Sequence, residues 1–144
     1  RAQVVEIARR VHLSKSPCLV RLKRLEKEGY IQGYSAELDP EKIDQSYVVF
    51  VEVKLKRTTR KTLDDFNKAV QNVPEIQACH MMAGGFDYLL KVRTSNMREY
   101  RGVLGEVIAE LPGVLQTTTY PVMEEVKDTR HLNIGALTQS PSDS

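Results

Sequence analysis

The most suggestive cluster of chemistry in this sequence is Gly84-Gly85-Phe86-Asp87. Two glycines between apolar runs first mean a hairpin turn that needs a positive φ. Glycine N–H groups also admit a carboxylate closely, and an adjacent aspartate can take an ammonium. The segment therefore suits either a bare turn or a turn that holds a free amino acid. Other reactive side chains are dispersed. His12, His80 and His131 are far apart, no Ser-His-Asp or Cys-His arrangement has local support, and no glycine loop could cradle a phosphate. Cys79 and His80 are adjacent in an alternating stretch, so they face opposite ways and cannot share a metal. Cys18 and Cys79 have no C-x-x-C spacing and read as free core thiols in a reducing compartment. No catalytic residue, metal ligand or cofactor is expected.

A second kind of chemistry is electrostatic. Residues 1–30 hold 8 Lys/Arg against 3 Asp/Glu, whereas residues 31–144 hold 13 against 16. A basic head on a mildly acidic body fits a polyanionic partner at one end. With 41% hydrophobic and 28% charged residues the chain is globular, and no apolar run approaches the roughly 20 residues of a membrane span.

These groups need elements to position them. Val4, Ile7, Ala8 and Val11 form one helical stripe over residues 2–11, and His12-Leu13-Ser14 breaks it. Ser16 as N-cap and Pro17 at the first helical position announce a second helix, which Gly29 ends. Cys18, Leu22 and Leu25 form its packing face, leaving Ser16, Val20, Lys23, Arg24 and Lys27 on the other side. Two short helices around a tight turn, the second with a basic free face, follow helix-turn-helix grammar. A solvated helical hairpin would share these features. Val20 sharpens the DNA reading, because an exposed apolar residue there can meet a thymine methyl. Residues 30–38 read as a short strand pair or wing that Asp39-Pro40 stops.

The body reads as one unit used twice. A strand over 48–56, a helix over 60–72 and a strand over 76–82 are followed by a strand over 87–93, a helix over 97–111 and a strand over 114–126. Val73-Pro74 matches Leu111-Pro112 at an offset of 38, and the strand at Val49 to Leu55 is laid on 87–93 at the same offset. The doubled unit predicts a ferredoxin-like βαββαβ body, an antiparallel sheet with both helices on one face. Val48, Phe50, Met82, Tyr88, Leu90, Tyr120 and Val122 are expected on the other face, which predicts a sheet-to-sheet dimer. The fold class is thus α+β, a winged helix-turn-helix over residues 1–40 and a ferredoxin-like sensing and oligomerisation domain over 41–130. The tail over 131–144 is expected to be disordered at its end, from Thr138.

Several ordered segments together resemble the Lrp/AsnC, or feast/famine, regulators. They are Leu13-Ser14-Lys15-Ser16-Pro17-Cys18, Arg21 to Glu26, Gly29 to Tyr34, Phe50-Val51-Glu52-Val53, Gly84 to Tyr88 and Leu111 to Val114. The likeness runs from about residue 2 to 134 and is nearest to the branch tied to amino-acid metabolism. It implies a bacterial, cytoplasmic, nucleoid-bound transcription regulator that binds double-stranded DNA and assembles from homodimers into octamers. It also implies a free amino-acid effector, leucine or another such as proline, held between dimers. Carried onto this chain, DNA contacts would come from Lys15, Ser16, Val20 and Lys23 in the groove, with Arg21 and Arg24 on phosphates. The effector region would include Met81, Gly84, Asp87, Met97, Tyr120, Pro121 and Val122. An effector-independent architectural DNA-binding protein is the alternative. Three departures stand out. His12 replaces a usual turn glycine, Pro121 interrupts a strand where an aliphatic residue is usual, and the family's first helix and linking strand would precede Arg1.

Overall fold

The computed structural model describes residues 15–135, so the helix expected over 2–11 and the tail from 138 lie outside the described residues. The chain divides into two compact units, Arg1–Asp39 and Pro40–Ser144.

In the first unit, helix α1 spans Lys15–Lys27. It is under way one residue before Ser16, so Ser16 is not its cap. Pro17 still falls in the first turn, where the N–H it lacks would have no partner. Gly29, at φ 82°, reverses the chain, and the Ile31 N–H returns to the Leu25 carbonyl at 3.1 Å. Residues 31–39 carry no strand, contrary to the expected pair. An extended segment needs a neighbouring strand for its ladder, and this segment is fastened instead by a side chain, with the Tyr34 hydroxyl donating to Glu26 Oε1 at 2.8 Å.

The second unit is built from β1 (Tyr47–Leu55), α2 (Arg60–Val70), β2 (Ile76–Met81), β3 (Tyr88–Thr94), α3 (Met97–Val103) and β4 (Val114–Pro121). The strands form one antiparallel sheet in the order β2-β3-β1-β4. This is the ferredoxin-like body. No helix among the described residues is long and apolar enough to cross a membrane.

One sheet face carries the core. Val49, Val51 and Val53 of β1 and Tyr88, Leu90 and Val92 of β3 are buried beneath Phe66 and Val70 of α2 and Tyr100 and Val103 of α3. Tyr88 and Leu90 therefore lie on the inner face, opposite to their expected side. The Phe66 and Tyr88 rings stack with centroids 4.2 Å apart. Two buried phenols reach polar partners, Tyr88 to Asn67 Oδ1 and Tyr100 to Thr119 Oγ1, both at 2.6 Å, which relieves the penalty of burying them.

The error on β3 has a definite cause. Side chains alternate with period two, so an offset wrong by one residue inverts every face. At an offset of 37, Val51 and Val53 fall on Tyr88 and Leu90, Leu63 and Phe66 on Tyr100 and Val103, and the helix cap Thr59 on Asn96. Val70 and Val73 match Ile108 and Leu111 only at 38. The second copy thus has one extra residue inside its helix. It is absorbed where α3 gives way to a π turn, Leu104–Ile108, in which the Ala109 N–H bonds the Leu104 carbonyl at 2.8 Å.

The last strand is also shorter than expected. It ends at Pro121 rather than running to Val126. Because β4 is an edge strand, the missing proline donor is tolerated, and Val122 N–H still bonds the Val48 carbonyl at 2.9 Å.

Candidate functional site

Helix α1 separates two kinds of surface. Cys18 is 8% exposed while Val20 is 62% exposed, and Arg21, Lys23 and Arg24 are exposed with it. Leu22 is half-buried on the Cys18 side. The structure thus presents four of the six expected DNA contacts on the free surface; the side chains of Lys15 and Ser16 lie outside those described. Arg24 Nε sits 3.6 Å from Glu28, but the two side chains are 77% and 47% exposed, so the pair leaves the guanidinium available. An apolar tip among cations, on a helix whose other side is occupied, can enter a groove and meet phosphates on its flanks.

The Gly84 turn joins β2 to β3. Met82 N–H donates to the Asp87 carbonyl at 2.9 Å, and Gly84 takes φ 152°, a conformation suited to glycine. Asp87 has a structural task that the sequence did not reveal. The β1–β3 ladder ends at Val53 with Tyr88, so the Leu55 N–H, which faces the β3 side, lies past the last pair, and Asp87 Oδ2 accepts it at 2.7 Å. Asp87 N–H in turn donates to the Val53 carbonyl at 2.9 Å. A carboxylate has about four lone-pair directions, so one such bond leaves room for an ammonium.

The other expected effector residues lie elsewhere. Met81 and Asp87 border the sheet end where Tyr88 faces Val53, whereas Pro121 faces Val49. Four strand residues separate these levels, about 13 Å at ~3.3 Å per residue. Met97 is farther along, its sulfur accepting the Tyr47 hydroxyl at 3.4 Å. Tyr120 sits between, on the outer face beside Phe50. Its phenol is held above the ordinary value, first by a hydrogen bond to Glu52 and then by desolvation. One chain therefore supplies two separated groups: Met81, Gly84 and Asp87 at one end, and Met97, Pro121 and Val122 at the other. Met81, Met97 and Tyr120 are 55%, 46% and 49% exposed, so their contact surfaces are open.

Sequence reading missed an ionic network on the outer face. Lys91 and Arg93 of β3 are only 14% and 11% exposed at their side chains, and they hold Glu125 at 2.9 and 2.7 Å. Lys91 also meets Asp128 at 3.0 Å. Arg93 uses every arm, donating to Gln77 Oε1 and the Gln45 carbonyl, both at 2.9 Å, as well as to Glu125. Burial raises the Glu125 carboxyl, but the bonds and charges of Arg93 and Lys91 outweigh it and leave it below the ordinary range. The alternation of Lys91 and Arg93 along β3 was the available signal, and it resembles that of any solvated face.

Comparison with known proteins matches both units. Residues 48–132 match the Lrp/AsnC ligand binding domain, and residues 1–32 match a winged helix-turn-helix DNA-binding domain. The chain is 54% identical over 129 residues to a proline dehydrogenase transcriptional activator of Rhizobium radiobacter, covering 90% of this chain and 83% of that protein. It is 52% identical over 130 residues to the leucine-responsive regulatory protein of Escherichia coli, covering 90% and 79%. Its fold superposes on a Neisseria meningitidis transcriptional regulator crystallised with L-methionine, with a TM-score of 0.81, 33% identity and coverage of 92% and 86%.

Proposed function

This chain belongs to the Lrp/AsnC family of transcription regulators, and from that premise we propose how its two units divide the work. The protein is a DNA-binding regulator of amino-acid metabolism whose partners are duplex DNA, an amino-acid effector and further copies of itself. Residues 1–40 read DNA, 41–130 sense and assemble, and 131–144 form a tail. The observation that carries the reading is the exposed Val20-Arg21-Lys23-Arg24 surface of α1, opposite buried Cys18. Lys15, Ser16, Val20 and Lys23 address base edges, and Arg21 and Arg24 address phosphates. The protein acts in the bacterial cytoplasm, on the nucleoid, without catalysis.

The effector is assigned to the residues at the two sheet ends. Because one chain holds Met81, Gly84 and Asp87 apart from Met97, Pro121 and Val122, with Tyr120 between them, a site using both groups requires more than one copy. That geometry supports an effector bound between dimers. The relatives named for leucine response and proline dehydrogenase, and the neighbour bound to methionine, make leucine, proline and methionine the first ligands to try.

Two measurements test these roles. Lys23→Ala with Arg24→Ala should lower operator affinity about tenfold or more and flatten its salt dependence; unchanged binding rejects the α1 assignment. Retained affinity for operator over unrelated DNA separates a specific regulator from an architectural one. For the effector, light scattering across a panel of amino acids should show a mass change with one of them. Asp87→Asn keeps an acceptor for the Leu55 N–H but loses the charge, so it should fold and assemble yet not respond. A normal response removes Asp87 from the site.

A further inference from the structure

We propose that the end of β1, the connection to α2 and the first turn of α2 together form a second contact for the phosphate backbone of duplex DNA, separate from helix α1. The inference rests on the reading of the protein as DNA-binding and extends it to the sensing body.

Lys54, Lys56, Arg57, Arg60 and Lys61 place five cations in eight positions without an acid among them. All five are exposed. Among the described residues only Lys61 has an acidic partner, Asp65 at 3.0 Å, and both members are largely solvated. The cations of β3 behave differently, since Lys91 and Arg93 are spent on Glu125 and Asp128. Beyond these eight positions, residues 31–144 hold 8 Lys/Arg against 16 Asp/Glu. The patch is therefore a local island of positive charge on an acidic body.

Clustered like charges repel one another and gain most from a partner carrying many negative charges in a row. The island is also held in place. The Lys56 N–H bonds the Gly113 carbonyl at 2.8 Å, the Leu55 N–H bonds Asp87 at 2.7 Å, and Thr59 caps α2 by accepting from the Thr62 N–H at 3.3 Å. No acidic residue occupies the first turn of α2, so its positive helix end adds to the side chains. A row of exposed cations, of which Lys61 alone has an acidic partner among the described residues, matches a polyphosphate backbone better than one small anion. Duplex DNA is the favoured occupant because α1 already tethers it, which raises its effective concentration at the body.

The test compares the full chain with Lys54→Gln/Lys56→Gln/Arg57→Gln/Arg60→Gln on two duplexes. One spans only the recognised half-sites, and the other extends about three helical turns (~30 bp) on each side. The variant should lose at least tenfold in affinity for the longer duplex, with a log K against log salt slope shallower by about 2–4 at ~0.9 per phosphate contact. Binding to the shorter duplex should be unchanged, and Arg57→Lys/Arg60→Lys should bind both like the parent. Equal binding of parent and quadruple variant to the longer duplex overturns the proposal, as do equal losses on both. Failure of the parent to bind the shorter duplex would instead overturn the reading of α1. Should the quadruple variant not fold, acetylation of the unaltered protein decides. Protection of Lys54 and Lys56 by the longer duplex alone supports the contact, and no protection rejects it. Equal protection by polyglutamate assigns the loop to acidic protein and rejects DNA.

Discussion

Strand β3 shows two ways of filling a sheet face. Toward the helices it places Tyr88, Leu90 and Val92, buried and apolar. Toward the other side it places Leu89, Lys91 and Arg93, with the cations tied to the chain beyond β4. The inner face is held by non-directional burial that tolerates no water. The outer face is held by directional bonds, and it retains half-buried Phe50 and Leu89 and exposed Tyr120 for another surface. The difference teaches that the inner face secures folding, while the outer face joins an ionic brace to apolar surface that the chain covers only in part.

The contrast can be broken most forcefully from the inside. Leu90→Ala should destabilise the body by about 2–5 kcal/mol, read as a fall in Tm, because it removes a fully buried side chain. Phe50→Ala, on the outer face, should weaken self-association far more than it lowers Tm; the reverse ranking would erase the distinction between faces. Arg93→Ala comes next, at about 1–2 kcal/mol by denaturant titration, since it strips three bonds but leaves a partly solvated Glu125.

The same brace has a pH signature. The folded Glu125 carboxyl lies below its ordinary value of about 4.5, so its stabilising contribution is complete above that pH. It is lost as pH falls through the lower folded value. The stability gap between the parent and Arg93→Ala should therefore narrow as the pH falls below about 4.5; a constant gap would mean that Arg93 acts through Gln77 and Gln45 alone. The smallest effect is expected at exposed Tyr120. Tyr120→Phe removes only an exposed hydroxyl, and thermal melting should leave Tm unchanged.

Local periodicity made much of this legible. Val49, Val51 and Val53 alternate strictly, and α1 sets Cys18 against Val20 within one turn, so the core face of the body and the buried and exposed sides of α1 could be read from neighbouring residues. What escaped depended on distant partners. Arg93 and Glu125 are 32 positions apart and meet only after β4 has crossed the sheet. The bond from Leu55 to Asp87 exists because β1 runs past the end of its ladder with β3, and no residue type announces where that ladder stops. The expected wing pair failed because residues 31–39 have alternating side chains but no neighbouring strand among the described residues. The separation of Gly84 from Met97 was legible, since the one precedes and the other follows strand β3; the level of Pro121 against β1 depends on register, which composition does not encode.

The π turn at Leu104–Ile108 has a consequence for how a duplicated protein can change length. One additional residue in an α-helix rotates the remainder of that helix by about 100°. One additional residue in a strand inverts the remainder of that strand, turning core side chains to the outside. A wider turn closes around the extra residue and hands the chain on in its former phase, so Ile108 and Leu111 still point where Val70 and Val73 do. Helices of this body can thus drift in length between copies while its strands stay in step, and the seam between the two copies survives as a local change of winding.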